Sequence, residues 1–138
     1  ILDSGTSVPH FIFNYLDYLL WENDCYEKYL GNDKTFIEKI KKFKFTFRSS
    51  VEHYYPQYPK SIEHLDKATL DNFGNLCLIS WGENSKLSNV SPDEKKKYIQ
   101  QNNKDINSIK QAIMMSYDKW EKEEIEKHGK EMIELLNS

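Results

Sequence analysis

The chain has 138 residues, of which 38% are hydrophobic, 14% aromatic and 30% charged, and its formal net charge is −3. That length fits one domain, 1–138, with a core of its own, and seven Phe, nine Tyr and three Trp exclude disorder. The charge excludes a uniformly basic nucleic-acid binder, and no apolar run reaches the roughly 18 residues of a membrane span.

Two distant cysteines, Cys25 and Cys77, have neither CxxC nor Cys/His spacing. A structural zinc site is therefore not expected, and reduced thiols in a cytoplasmic protein are, although a single disulfide stays open. The opening Ile1-Leu2-Asp3-Ser4 lacks an initiator Met, so a fragment of a larger parent is expected. Composition points to a compact, largely helical domain, and the strand and helix pattern along the chain to a predominantly helical α+β fold.

In chain order, residues from Val8 to about Tyr29 read as a helix, with Pro9 in its first turn. Phe11, Ile12, Phe13, Tyr15, Leu16, Tyr18, Leu19, Leu20 and Trp21 leave almost no polar face, which predicts a helix that is buried or docked. After Gly31-Asn32-Asp33, residues Lys34 to about Lys42 predict a short basic helix with Phe36, Ile37 and Ile40 inward. Phe43-Lys44-Phe45-Thr46-Phe47-Arg48 alternates with the period of a strand and leads into Val51-Glu52-His53-Tyr54. Pro56 and Pro59 impose irregular chain, Ser61 to Leu70 reads as a short helix or loop, and Asn75–Ser80 is the next strand candidate.

Trp81-Gly82-Glu83 reads as a turn, and Asn84 to Asn89 opens a helix. Ser91-Pro92-Asp93-Glu94 is a helix start, with Ser91 as cap, Pro92 as first helical residue and Glu94 as the capping-box acid. Further helices are expected to about Gln101, from Ile106 to about Tyr117, and from Lys119 to about Leu136, where Ile125, His128, Met132 and Leu136 recur at helical spacing. Residues 44–90 thus form a strand–loop–strand–helix core, and 91–138 a set of C-terminal helices.

Charge is uneven. Lys34 to Arg48 holds six basic residues against Glu38, and Lys95-Lys96-Lys97 forms a second cluster. A basic stripe suits a phosphate ligand; a solvated helix face explains each cluster equally well. Trp21, Trp81 and Trp120 read as core residues, and His10, His64 and His128 as non-catalytic.

Glu52-His53 is the chemically richest pair. A carboxylate beside an imidazole offers a metal ligand and a general base in adjacent positions, and an amide some thirty residues on can complete the metal site. The predicted elements put Glu52-His53 at the end of one strand, Asn75 at the start of the next and Asn84 at the start of a helix.

The spaced set resembles the HNH (ββα-metal) nucleases, and in particular the C-terminal DUF1524 domain of GmrSD-type restriction endonucleases. The matching words are Glu52-His53-Tyr54-Tyr55-Pro56-Gln57, Gly74-Asn75-Leu76-Cys77-Leu78, Asn84-Ser85-Lys86-Leu87-Ser88-Asn89 and Glu94-Lys95. The lead-in Tyr15–Glu22 and the tail from Trp120 are also similar. Tyr54 stands where the family often has Ile, and the last motif position is Asn rather than His.

The resemblance implies a small ββα-metal core and a metal-dependent DNA endonuclease. It implies His53 as general base, Glu52 and Asn84 as metal ligands and Asn75 as the residue that orders the loop. A divalent cofactor follows, Mg²⁺ with Mn²⁺ as the alternative. Lys86 and Gln57 are candidate substrate contacts. The implied partners are DNA and an N-terminal nucleotide-using domain or subunit of a restriction or phage-defence system acting on modified cytosine. The alternatives are a catalytically inactive DNA-binding or protein-docking module with an HNH-like shell, and an RNA-cleaving toxin.

Overall fold

A computed structural model describes residues 1–48, 50–80, 82, 87 and 89–138. Its elements are α1 (His10–Trp21), α2 (Ile37–Lys41), β1 (Ser50–His53), α3 (Lys67–Leu70), β2 (Leu76–Ile79), α4 (Pro92–Gln101), α5 (Ile109–Met115) and α6 (Lys122–Leu136), joined in places by 3₁₀ turns. The fold is predominantly helical α+β, with one two-stranded antiparallel sheet among the described residues.

α1 buries Phe13, Leu16, Asp17 and Leu20 on one stripe. The expected helix to Tyr29 stops earlier, because Asn23 and Asp24 take left-handed backbone angles, φ 52° and 55°. Asn and Asp accept that region more readily than other side chains. A 3₁₀ segment then carries the chain to Tyr29. The apolar girth of α1 is not all buried either: Phe11, Tyr15, Tyr18 and Trp21 are exposed, so Trp21 is not a core residue.

Asp17 explains why a carboxylate sits inside that stripe. Its Oδ1 accepts from the backbone N–H of Ile109 at 3.0 Å and of Lys110 at 3.1 Å, capping α5 from another helix. Its Oδ2 accepts from Arg48 Nη1 at 2.9 Å, and Arg48 also donates to the Asn107 carbonyl at 2.6 Å and to Asn14. Arg48 therefore leaves the basic stripe and becomes an internal tie.

The strand expected over Phe43–Arg48 is absent. The sheet consists of β1 and β2, in register Ser50↔Ile79, Val51↔Leu78, Glu52↔Cys77 and His53↔Leu76. Alternation becomes a strand only where a ladder partner exists, and residues 43–48 have none. Phe43 packs on the core, whereas Phe45 and Phe47 face solvent.

β2 is buried along its whole length. α5 covers it with seven buried residues, and α6 closes the core with Ile125, His128, Gly129 and Met132. The last two helices each begin three residues later than their expected starts, and α5 also ends earlier, at Met115. α4 begins as expected: Ser91 Oγ accepts from the Glu94 N–H at 3.2 Å, with Pro92 in the first turn. Between Ser61 and Leu70 only Lys67–Leu70 is helical, capped by Asp66. Both cysteines are unpaired, and Cys77 is buried in β2. Among the described residues no helix is long and apolar enough to cross a membrane.

Candidate active site

His53 ends β1. Val51 and His53, two residues apart on one strand face, line a polar cavity of about 660 Å³. Gln57, Lys67, Asp71 and Asn89 line it too, and the 3₁₀ turn Gly5–Ser7 forms a further wall. His53 Nε2 lies 2.8 Å from Asp71 Oδ1, and Lys67 Nζ lies 2.7 Å from Asp71 Oδ2. Burial pushes the Asp71 carboxyl up, but hydrogen bonds from Lys67 and His53 outweigh it and hold it below the usual 3.8. Asp71 is thus an anion near neutral pH. It favours the tautomer in which Nε2 carries the proton, leaving Nδ1 as the ring's acceptor nitrogen.

Gly5 backs this arrangement. Its φ of +58° is left-handed, and a Cβ there would meet Asp71 Cγ at 3.0 Å. The N-terminal turn can lie against the carboxylate because Gly has no side chain.

Glu52 is buried, and strand alternation turns it to the face opposite His53. Its Oε2 lies 3.7 Å from Lys95 Nζ. Lys95 also donates to the carbonyls of His53 at 2.9 Å and Tyr54 at 2.8 Å. Burial pulls the Lys95 ammonium down, against the opposing pull of Glu52. Glu52 and His53 are adjacent in sequence but lie on opposite faces of β1.

Asn75 is fully buried in the turn before β2. Its Oδ1 accepts from the Tyr55 N–H at 2.8 Å and the Trp120 indole N–H at 3.0 Å. Its Nδ2 donates to the carbonyls of Tyr55 at 3.1 Å and Leu70 at 3.0 Å. One amide therefore joins the chain after β1, the end of α3, the start of β2 and the approach to α6. Lys110 secures the same turn from below, donating to the carbonyls of Phe73 at 3.0 Å, Gly74 at 3.3 Å and Leu76. Burial brings its ammonium down to about 7.

Among the proposed site residues, His53 and Gln57 share the cavity, Asn75 braces it from behind and Glu52 faces Lys95. Asn84 and Lys86 lie outside the described residues, as does Trp81. Among the described residues no three His, Cys, Asp or Glu side chains cluster as a metal-binding group. From sequence, no role at the site falls to Asp71, Lys95 or Lys110. Nothing local marks Asp71, because its partner His53 is 18 positions away. Lys95 hides in the Lys95-Lys96-Lys97 run, although it shares an inner helix face with Ile99, four residues on. Lys110 is flanked by Ile109, Ala112, Ile113 and Met114, which flags a lysine inside an apolar helix.

The model of the GmrSD restriction endonuclease C-terminal domain matches residues 6–135. No curated protein and no solved structure matches the chain. With nearly its whole length matched, the chain belongs to the family of GmrSD restriction endonuclease C-terminal domains.

Proposed function

We propose that this member of the GmrSD C-terminal domain family is an HNH-type endonuclease domain that hydrolyses DNA phosphodiester bonds with a divalent metal. The observation that carries this reading is the His53–Asp71 contact of 2.8 Å at the wall of an open polar cavity. A base must be neutral, oriented and reachable, and this histidine is held by one nitrogen while its ring lines the cavity.

His53 accepts the proton of the attacking water at Nδ1. Asp71 keeps the ring in that tautomer and stabilises the imidazolium that forms. Gln57, which lines the same cavity, and Lys86 are the proposed substrate contacts. Asn75 acts at a distance from the reacting atoms: it fixes the Tyr55 backbone beyond the base and the turn that leads into β2.

Glu52 and Asn84 would hold the metal. A carboxylate and an amide oxygen form a hard donor set of the kind Mg²⁺ takes, with Mn²⁺ as the substitute. Metal binding there requires the Glu52 carboxylate to leave Lys95, 3.7 Å away, and turn toward the cavity face of β1. A bound cation would offset charge on the phosphoryl and leaving oxygens. The family description further supports a larger restriction protein in the cytoplasm. There a nucleotide-using domain or subunit selects the DNA, and modified cytosine is the proposed target.

The test is cleavage of plasmid DNA, modified and unmodified, with Mg²⁺ or Mn²⁺, by the chain and by the full parent. Wild type should cut, and His53→Ala should cut about 10²- to 10⁴-fold more slowly. Equal cutting by both proteins, or no cutting by the parent on any DNA, would overturn the reading.

A further inference from the structure

At the other end of the hairpin from His53 lies a second concave surface of a different character. β1 and β2 pair from His53↔Leu76 at one end to Ser50↔Ile79 at the other, about 10 Å away at the rise of a strand. Ser80, just past Ile79, lines a groove of about 770 Å³ with Lys39, Lys41, Lys42, Lys44 and Lys104. Two separate segments supply these lysines: α2 with the chain just after it, and the loop before α5. Among the described lining residues only Asp105 opposes them. Lys41 lies 3.6 Å from Glu38 in a pair whose two side chains are largely exposed, which neutralises little in water. In a chain of net charge −3, such a convergence is a local reversal of sign.

Phe43 lines the same groove and starts a run of aromatic rings. Its ring meets Phe45 at 5.0 Å, Phe45 meets Trp21 at 6.3 Å, and Trp21 meets Tyr18 at 6.0 Å. Three of these rings are open to solvent: Phe45 is 48% exposed, Trp21 51% and Tyr18 43%, and the neighbouring Phe47 is 89% exposed. Large apolar side chains gathered this way mark an interaction surface. An entirely apolar partner would leave the lysines beside it unmatched. A duplex would present phosphates to the lysines but would keep its bases stacked away from the rings. An unpaired polynucleotide strand satisfies both halves, with phosphates along the lysines and base faces on the rings.

We propose that the Lys41–Lys44 groove and the Trp21–Phe45–Phe47 rings form a binding surface for a single-stranded stretch of DNA, separate from the His53 cavity. The inference rests on the reading of the chain as a DNA-acting domain, and it assigns that domain a preference for substrate with unpaired bases near the cut. Arg48 takes no part, being committed to Asp17 and Asn107 inside the protein.

The test measures fluorescence anisotropy of a labelled single-stranded 20-mer and its duplex, with EDTA present, on the His53→Ala background so that cleavage does not intervene. Single strand should bind more tightly than duplex. Phe45→Ala/Phe47→Ala, and separately Trp21→Ala, should weaken single-strand binding by about five- to 150-fold per lost stack and leave duplex binding nearly unchanged. Lys41→Gln/Lys42→Gln/Lys44→Gln should weaken both and reduce the slope of log K against log salt by about 2 on the single strand. Circular dichroism of each variant checks folding, which these exposed positions should not disturb.

Equal affinity of the ring variants and the parent for single strand would overturn the proposal. So would tighter binding of duplex, or a dimer in sedimentation that the ring variants dissolve. Plasmid cleavage by the otherwise native chain is scored separately. Normal cleavage with no ring effect sinks only this surface, and ring-dependent binding without any cleavage sinks only the nuclease reading.

Discussion

Asp71 gives His53 a defined role that the histidine cannot set for itself. A neutral imidazole divides its proton between two nitrogens, and an anionic acceptor at 2.8 Å from Nε2 decides the matter. Asp71→Asn keeps the shape but can donate to Nε2 and stabilise the other tautomer. We expect kcat to fall about 10- to 100-fold with KM little changed, the scale seen when a partner that orients a functional group is lost. The ¹⁵N shifts of the His53 ring check the cause directly: Nδ1 should be the unprotonated nitrogen in the parent and lose that character in the variant.

Asn75 makes a second prediction at this scale. Its replacement by Ala strands the Tyr55 N–H, the Trp120 indole and two carbonyls in a dry interior. A loss of about 3–5 kcal/mol is expected, read from the urea midpoint. The residue types of this site are legible in the sequence, because Glu-His and the later Asn words name their chemistry. The Asp71 contact is not legible, since hydrogen bonds across 18 residues carry no local signature.

Among the elements, the turn Phe73–Asn75 lies directly against α6. A Cβ on Gly74 would fall 2.0 Å from the Ile125 carbonyl oxygen and 2.6 Å from the Gly129 N. The obstacle is backbone, which cannot swing aside as a side chain can. Gly74→Ala should therefore lift α6 from the turn and cost at least about 3 kcal/mol, measured by thermal unfolding. The start of α4 was readable from its cap at Ser91, whereas α5 and α6 start three residues later than expected although Ser108 and Glu121 cap them within one turn. The misreadings have tertiary causes. α1 stops at a left-handed Asn23-Asp24 pair, and Phe43–Arg48 has strand alternation without a partner strand. In that segment Arg48 turns inward to Asp17 and the rings Phe45 and Phe47 turn out.

Across the whole molecule, the interior carries more ionisable groups than its size would lead one to expect: Asp17, Arg48, Glu52, Lys95, Lys110 and His128 are all buried. His128 sits between Tyr117 and Trp120, and among the described residues neither of its ring nitrogens has a hydrogen-bond partner. Burial, then the charges of Lys110 and Lys127, hold it well below its usual 6.5. The unfolded chain protonates His128 as pH falls through 6.5 while the folded chain resists, so stability is lost below that point. Lys110 acts in the same direction higher up: its folded value of about 7 lies under the ordinary 10.5, so stability falls as pH drops from 10.5 to 7. Thermal midpoints should decline from alkaline to acid pH, and His128→Leu should flatten the part below 6.5.

The sequence by itself determined the class of fold, the Ser91 helix cap and the motif words that place the chain in its family, because periodicity, that cap and residue chemistry are local properties. Tertiary structure alone decided which lysines are buried, which aromatics remain exposed and which carboxylate meets His53. Each of these depends on what another segment brings to the same point, and burial reverses the meaning of a residue type: Lys95 is part of the interior, while Phe47 is part of the surface.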